Sequence, residues 1–450
     1  MNNKLFGTDG VRGHANLYPI TPEVALLLGK AIAHVFQASG CGEKKAVVGK
    51  DTRLSCYMLE AAVIAGLLSK GMDTLAVGPM PTPALAHLTK SFNASCGIMI
   101  TASHNPADDN GIKIFDADGF KLPDAVEAEI EEYVFRGMRG NSSHAADPVG
   151  RAYRIDDARG RYIEFAKASV RNRSLRGLKI VLDCANGAAY SMAPLIFKEL
   201  GAEVITTAVN PNGLNINAGC GATYPEAIRE AVLSNGADAG ISLDGDADRV
   251  IFLDAEGKVV NGDRILGLCA LDMQRRRRLE KETLVLTCMS NLGLHKAMAE
   301  AGIRTVSTDV GDRYVIENMR ENGYNLGGEQ SGHIIFMDYV TTGDGIITAL
   351  HVLKQMQDSG KSLAQLADFM REYPQRLESI HVKKKRPFEE MPALQESIRQ
   401  CQEALDGRGR TIVRYSGTEN KIRILLEAET LSLVNFWTEK ILSVVEKELC

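Results

Sequence analysis

The stretch "SLDGDADRV" places Asp244, Asp246 and Asp248 two residues apart. In an extended segment alternate side chains point the same way, so this spacing predicts three converging carboxylates. Three neighbouring negative charges repel one another unless a cation sits among them. Oxygen-only donors suit a hard divalent ion such as Mg²⁺, Mn²⁺ or Ca²⁺. A calcium-binding EF-hand loop starts similarly, but it needs glycine at its sixth position and glutamate at its twelfth. Counted from Asp244 those positions hold Arg249 and Ala255, so that loop is excluded. An acidic surface turn is the bland alternative. The apolar run before it argues instead for a place at the carboxyl edge of a buried sheet, where α/β proteins bind ligands.

A second stretch, "TASHNP", puts Ser103 at the mouth of the apolar run "CGIMI". The G-x-S-x-G elbow of serine hydrolases is absent. His104 is adjacent, and neighbours on an extended chain point apart, so a Ser–His relay is awkward. Beside a three-carboxylate metal site, Ser103 reads better as a phosphoryl carrier than as a loop serine or an acyl nucleophile. A divalent cation between phosphoserine and carboxylates would neutralise charge and polarise phosphorus.

Two further loops fit phosphate and sugar. In "RYSGTEN", Arg414 offers a bidentate fork, while Ser416, the Gly417 backbone and Thr418 offer small donors. Arg423 lies on the following strand and can reach the same ligand. A tight hairpin turn is the alternative. In "GGEQSGH", Glu329 and Ser331 flank Gln330 and suit hydrogen bonds to sugar hydroxyls or an amine.

Strands and helices must hold these loops. Thr21-Pro22-Glu23 has the marks of a helix start, and Val24, Leu27, Leu28, Ala31 and Val35 then share one face. "KAVVGKD", "DTLAVG" and "CGIMI" read as short buried strands between helices. Two more strand–helix–strand units follow, "LKIVLDCANGAAYSMAPLIFKELGAEVITT" and "TLVLTCMSNLGLHKAMAEAGIRTVST". After about residue 372 a long helix pattern, Phe388 to Leu405, precedes two strands around the Ser-Gly-Thr loop and a last helix from about Leu431. The spacing therefore predicts an α/β protein: three related α/β domains with mixed sheets, over residues 1–150, 151–257 and 258–371, and a smaller C-terminal α+β domain over 372–450.

The chain has 450 residues, 45% hydrophobic and 24% charged, the mix of a globular protein large enough for several domains. A net charge of −5 disfavours a general nucleic-acid binder. The short basic runs Arg275–Arg278 and Lys383–Arg386 read as solvated surface. Nine cysteines without a C-x-x-C pair suggest free thiols in a reducing, cytoplasmic setting. No apolar run reaches the length of a membrane span.

The four loops, in this order, resemble the α-D-phosphohexomutase superfamily along nearly the whole chain. "TASHNP" resembles its serine loop, "DGDADR" its metal loop, "GEQSGH" its sugar loop and "RYSGTEN" its phosphate loop. "FGTDGVRG" and Gln330 are similar to the bacterial branch acting on amino sugars. Tyr415 and Asn420 stand where a small residue and proline are common. The resemblance implies four domains in a heart shape around a central cleft. It implies conversion of glucosamine 6-phosphate to glucosamine 1-phosphate through glucosamine 1,6-bisphosphate, feeding UDP-N-acetylglucosamine and cell-wall synthesis. It also implies phospho-Ser103, one Mg²⁺ on that phosphate with Asp244, Asp246 and Asp248, and sugar contacts from Glu329 and Ser331. Arg414, Ser416, Gly417, Thr418 and Arg423 would hold the remote phosphate, with His104, Lys113, Arg249 and Arg12 as helpers. His104, Lys113 and Arg249 stay open as general base. The expected partner is a small hexosamine phosphate, with no nucleic acid or membrane, in a monomer or homodimer. A phosphoglucomutase or phosphomannomutase is the neighbouring alternative. A non-catalytic phosphosugar binder and a metal-dependent phosphatase are more distant ones.

Overall fold

A computed structural model describes residues 4–7, 9–38, 43–138, 148–416 and 420–449. These fall into two compact units, residues 1–287 with 306–367, and residues 288–305 with 368–450. The chain thus leaves the first unit for a short excursion before returning to it.

The first unit opens with six strands: β1 (Val11–His14), β2 (Glu43–Lys50), β3 (Asp73–Pro79), β4 (Ala94–Ile100), β5 (Asp109–Phe115) and β6 (Ala152–Arg154). They are ordered β1-β5-β4-β2-β3-β6. β2 pairs in parallel with β3 and β4, whereas β5 is antiparallel to β4 and β1. β4 is buried along its whole length, as its unbroken apolar run demands when both faces of a sheet are covered. Helices Pro22–Ala38 and Ser55–Leu68 supply Val24, Leu28, Leu59 and Val63 to a core shared with Val48, Ile98 and Ile100. The order of strand addition reverses between β4 and β2, because β3 follows β2 on one side and β4 then crosses to the other. That topological switch opens a crevice beyond their carboxyl ends, where Asp51 and Ser103 lie.

A second sheet repeats the scheme with β7 (Lys179–Asp183), β8 (Glu203–Thr207), β9 (Ala239–Leu243), β10 (Val250–Asp254) and β11 (Val259–Val260), ordered β11-β10-β9-β7-β8. β7 is parallel to β8 and β9, and β10 is antiparallel to β9. β9 is wholly buried and ends directly before Asp244. The third sheet, ordered β13-β12-β14-β15, is made of β12 (Thr283–Thr287), β13 (Arg304–Thr308), β14 (Leu326–Gly328) and β15 (Ile334–Phe336). Its helix Gly345–Ser359 is capped by Asp344, which accepts from Ile346 N at 3.0 Å, Ile347 N at 2.9 Å and the Tyr162 hydroxyl at 2.8 Å.

That helix also carries His351, stacked 4.6 Å from Phe336, with its Nε2 buried and unpartnered. Burial, then Lys354 and Arg278, pushes its pKa down from 6.5 to about 4. The unfolded chain therefore takes up the proton first, and stability falls as pH drops from about 6.5 towards 4. The expected loss between pH 7 and pH 5 is up to about 2 kcal/mol from this residue. His351→Gln, followed by urea unfolding at both pH values, is expected to shrink the difference. An unchanged difference counts against the buried neutral imidazole.

In the second unit β16 (Gln375–His381), β17 (Gly409–Tyr415) and β18 (Lys421–Ala428) form an antiparallel sheet ordered β16-β18-β17. Helices Pro392–Leu405 and Leu431–Leu449 pack Leu394, Cys401, Trp437, Ile441 and Val445 against Ile424 and Leu426. The helix expected over Phe388–Leu405 is broken: a 3₁₀ turn covers Phe388–Glu390 and the α-helix starts at Pro392. Proline lacks the amide hydrogen and bars its predecessor from helical angles, so it starts the helix rather than continuing one. Three mixed α/β sheets and one antiparallel α+β sheet make up the architecture that the spacing predicts. Among the described residues no helix is long and apolar enough to cross a membrane. The described cysteines are free thiols, all buried except Cys288.

Candidate active site

The carboxyl ends of β4 and β9 meet. Ser103 Oγ donates to Asp244 Oδ2 at 2.7 Å, and neither residue has any exposed surface. Asp244, Asp246 and Asp248 each place a carboxylate oxygen within 4.8 Å of the others. Their convergence does not come from a pleated strand, as the alternating spacing predicts. The strand ends at Leu243, and a turn with Ala247 at φ 56° gathers the three side chains.

The electrostatics of this cluster suit a bound cation. Burial, then Asp248 and Asp246, raises the Asp244 pKa well above the usual carboxylate range. Burial also opposes charge on Asp246, but Lys113 and a hydrogen bond from Thr82 outweigh it and hold Asp246 ionised. Asp246 Oδ1 and Asp248 Oδ1 are buried with no hydrogen-bond partner. Uncompensated buried oxygens of this kind are costly. An all-oxygen donor set with two orphaned atoms fits a hard divalent ion.

Lys113, on β5, is the cation already present. Its Nζ lies 3.0 Å from Asp246, 3.4 Å from Asp248 and 3.3 Å from Asp9. Burial presses its pKa down, but Asp246, Asp9 and Asp248 carry it above the ordinary lysine value. Arg12 pairs with Asp9 in the same cluster. Arg249 donates its backbone amide to Asp244 Oδ1 at 3.1 Å and its Nη1 to His104 Nδ1. Burial disfavours its charge, yet Asp248, Asp244 and Glu329 raise its pKa further. His104 differs from both. Burial, then Arg249 and Arg12, lowers its pKa to about 4, so it is neutral at pH 7.

Ser103 and His104 also correct the expectation that they point apart. Ser103 is not extended but left-handed, at φ 50°, and His104 Nδ1 comes within 3.5 Å of Ser103 Oγ. Glu329 and Ser331 occupy the turn between β14 and β15, closed by Gly332 at φ 90°. Glu329 Oε1 accepts from Gly311 N at 3.1 Å, and Ser331 is exposed.

Arg414 and Arg423 belong to the second unit. They are directly opposed partners on β17 and β18. Directly opposed side chains share a face and lie about 5 Å apart at Cβ, and like charges so placed repel. Two guanidiniums on one face could share one anion. Ser416, buried beside them in sequence, donates its amide to Lys421 O at 2.8 Å and receives Lys385 Nζ on its carbonyl at 2.5 Å. Gly417 and Thr418 lie outside the described residues.

Several residues of this cluster escape sequence reasoning. Thr82, opening the helix Thr82–Ser91, donates its hydroxyl to Asp246 Oδ2 at 2.6 Å. Lys121 bridges Asp9 and Asp312 at 2.5 Å each, and His333 Nε2 lies 3.3 Å from Asp312 and 3.8 Å from Asp248. Asp9 and His333 sit inside "FGTDGVRG" and "GEQSGH", so the motifs hold the signal. Thr82, Lys121 and Asp312 have none.

Comparison with known proteins identifies the family. Family models of the phosphoglucomutase/phosphomannomutase α/β/α domains I, II and III match residues 3–140, 160–257 and 261–373, and that of the C-terminal domain matches 378–443. The chain belongs to the phosphoglucomutase/phosphomannomutase family. Within it, a phosphoglucosamine mutase of Geotalea daltonii is 54% identical over 447 residues, covering 99% of this chain and 98% of its own length. A phosphoglucosamine mutase of Myxococcus xanthus is 50% identical over 449 residues, covering 100% and 98%. Among solved structures, a phosphoglucomutase/phosphomannomutase family protein of Burkholderia thailandensis superimposes with a TM-score of 0.83 at 23% identity, covering 99% of this chain and 98% of its own. The Aspergillus fumigatus N-acetylphosphoglucosamine mutase, solved with GlcNAc-6P and magnesium, gives 0.67 at 20% identity, covering 99% and 96%.

Proposed function

We propose that this chain is an isomerase converting glucosamine 6-phosphate to glucosamine 1-phosphate, with Ser103 as the phosphoryl carrier. The observation that carries the reading is the 2.7 Å hydrogen bond between Ser103 and the buried aspartate cluster. Full-length relatives named phosphoglucosamine mutase, at 50–54% identity, supply the sugar.

Phosphate monoesters break very slowly unaided, so catalysis rests on positioning and charge. In the first transfer the P–Oγ bond of phospho-Ser103 breaks and a bond forms from phosphorus to O1 of glucosamine 6-phosphate. The O1 proton goes to a neighbouring base. His104, Lys113 and Arg249 stand around the aspartate cluster as the candidates for that base, and of the three His104 is the one uncharged at neutral pH. The resulting glucosamine 1,6-bisphosphate turns over. Ser103 Oγ then attacks the phosphorus on O6, the P–O6 bond breaks, and O6 takes the proton that the base received from O1. Glucosamine 1-phosphate leaves and phosphoserine is restored, with no net release of phosphate.

Asp244, Asp246, Asp248 and the Ser103 phosphate would hold Mg²⁺, which supplies charge neutralisation and polarisation at phosphorus. Lys113, Arg249 and Arg12 place positive charge around the transferring group. Glu329 and Ser331 read the sugar. Arg414, Ser416, Gly417, Thr418 and Arg423 hold the phosphate that is not reacting. Ser103, Asp244 and Asp246 show 0% exposure, so little bulk water surrounds the carrier. We take the domain joints to lie near residues 150, 257 and 371, and place the enzyme in the cytoplasm as a monomer or homodimer.

The test compares glucosamine 6-phosphate, glucose 1-phosphate and mannose 1-phosphate with Mg²⁺-loaded enzyme and a trace of the matching bisphosphate. The amino sugar is expected to be preferred by at least about tenfold in kcat/KM, the scale of a lost polar contact. Equal or better turnover of glucose or mannose phosphate would overturn the substrate assignment. Net phosphate release would make the protein a phosphatase instead.

A further inference from the structure

The left-handed backbone of Ser103 is one that L-residues disfavour, and its surroundings must hold it there. Two side chains outside the reacting cluster grip its loop by the same carbonyls. Arg53 Nη2 donates to Ser103 O at 3.2 Å and Asn105 O at 2.6 Å, and its Nε to Pro106 O at 3.5 Å. Arg53 is wholly buried and paired with Asp51, just beyond β2. Asp51 in turn accepts from Arg53 N at 2.9 Å and Cys56 Sγ at 3.2 Å. From the second sheet's layer, Asn217 Nδ2 donates to Ser103 O at 2.9 Å and Asn105 O at 3.0 Å. Gly245, between Asp244 and Asp246, closes the same spot. A Cβ there would fall 2.5 Å from Ser103 O and 2.8 Å from Asn217 Nδ2.

We propose that Arg53 and Asn217 are positioning residues that fix Ser103 Oγ in register with the three aspartates. Arg53 ties the serine loop to its own sheet. Asn217 ties it to the sheet that carries the aspartates. Both act through backbone carbonyls, so both hold alike whether Ser103 is bare or phosphorylated. The loop has to keep its shape while its serine gains and loses nearly two negative charges in each cycle. Misplacement of a reacting atom by about 1 Å costs on the order of a hundredfold in rate. The inference rests on Ser103 as the phosphoryl carrier.

Asn217 allows a clean test because it too is left-handed, at φ 58°. Asn217→Gly accepts that backbone and removes the donor. Asn217→Asp keeps size and turn preference but sets an acceptor against two carbonyls. Both full-length variants are to be assayed with Mg²⁺ for kcat and KM on glucosamine 6-phosphate. Intact mass gives the rate at which glucosamine 1,6-bisphosphate phosphorylates Ser103, and thermal unfolding gives the folded fraction. We expect kcat and the phosphorylation rate to fall together by about 10- to 100-fold, with KM within about threefold and the protein folded at assay temperature. Asn217→Asp is expected to be the slower of the two. Wild-type phosphorylation rates in both variants would overturn the proposal, as would losses that merely track the folded fraction. A wild-type enzyme that never gains a phosphoryl group on Ser103 would overturn the underlying reading of function, and the clamp with it.

Discussion

Ser103→Ala is expected to lower turnover of glucosamine 6-phosphate by about 10⁴-fold or more while leaving the protein folded. The proposed carrier of the phosphoryl group is lost, and among the described residues no other hydroxyl is hydrogen-bonded to Asp244. Losses of this size accompany removal of a covalent nucleophile in other enzymes. Alanine and serine pay a similar penalty in the left-handed conformation, so the loop keeps its shape. Asp244 loses one hydrogen bond but keeps the Arg249 amide. Intact mass after incubation with the bisphosphate should rise by one phosphoryl group in wild type and not in the variant. A variant turning over at near wild-type rate would remove the phosphoserine from the mechanism. A phosphorylated variant would move the carrier to another residue.

The second large effect is expected at Lys113. Lys113→Met keeps an unbranched side chain one atom shorter and removes the ammonium that Asp246, Asp248 and Asp9 share. Stripping one partner from a buried charge cluster costs about 3–5 kcal/mol, because the remaining charges stay buried and uncompensated. In chelator the variant should therefore unfold several degrees below wild type. Mg²⁺ should return more stability to the variant than to wild type, because a cation at the aspartates takes over part of the lost compensation. Thermal unfolding with and without Mg²⁺ measures both effects. Equal midpoints in chelator would show that the aspartates do not depend on Lys113. Equal Mg²⁺ responses would show that metal and lysine do not share the same carboxylates.

Much of this was legible because it is local. A buried strand ending in a polar turn is written in five or six consecutive residues, as in "CGIMI" before Ser103 and "AGISL" before Asp244. The three aspartates announced themselves by crowding like charge. Arg414 and Arg423 could be paired because one short turn separates their strands. What the chain conceals is long-range charge pairing. Arg53 looks like an arginine after a strand, and nothing nearby says that it is buried against carbonyls fifty residues on. Lys121 and Asp312 lie 191 positions apart and meet only once the first and third sheets are assembled. The left-handed backbone of Ser103 was also hidden. Serine has no strong preference for it, so the surroundings rather than the residue impose it.

The clamp on the serine loop has an implication for how such a protein can be inherited. Ser103 is supplied by one sheet, but Asp244, Asn217 and Gly245 are supplied by the next. Neither stretch of gene encodes a working centre alone. Recombination between diverged members of the family should therefore be better tolerated where both stretches come from the same parent. A crossover falling between Asn105 and Asn217 would join a serine loop to a partner surface with which it had not co-evolved.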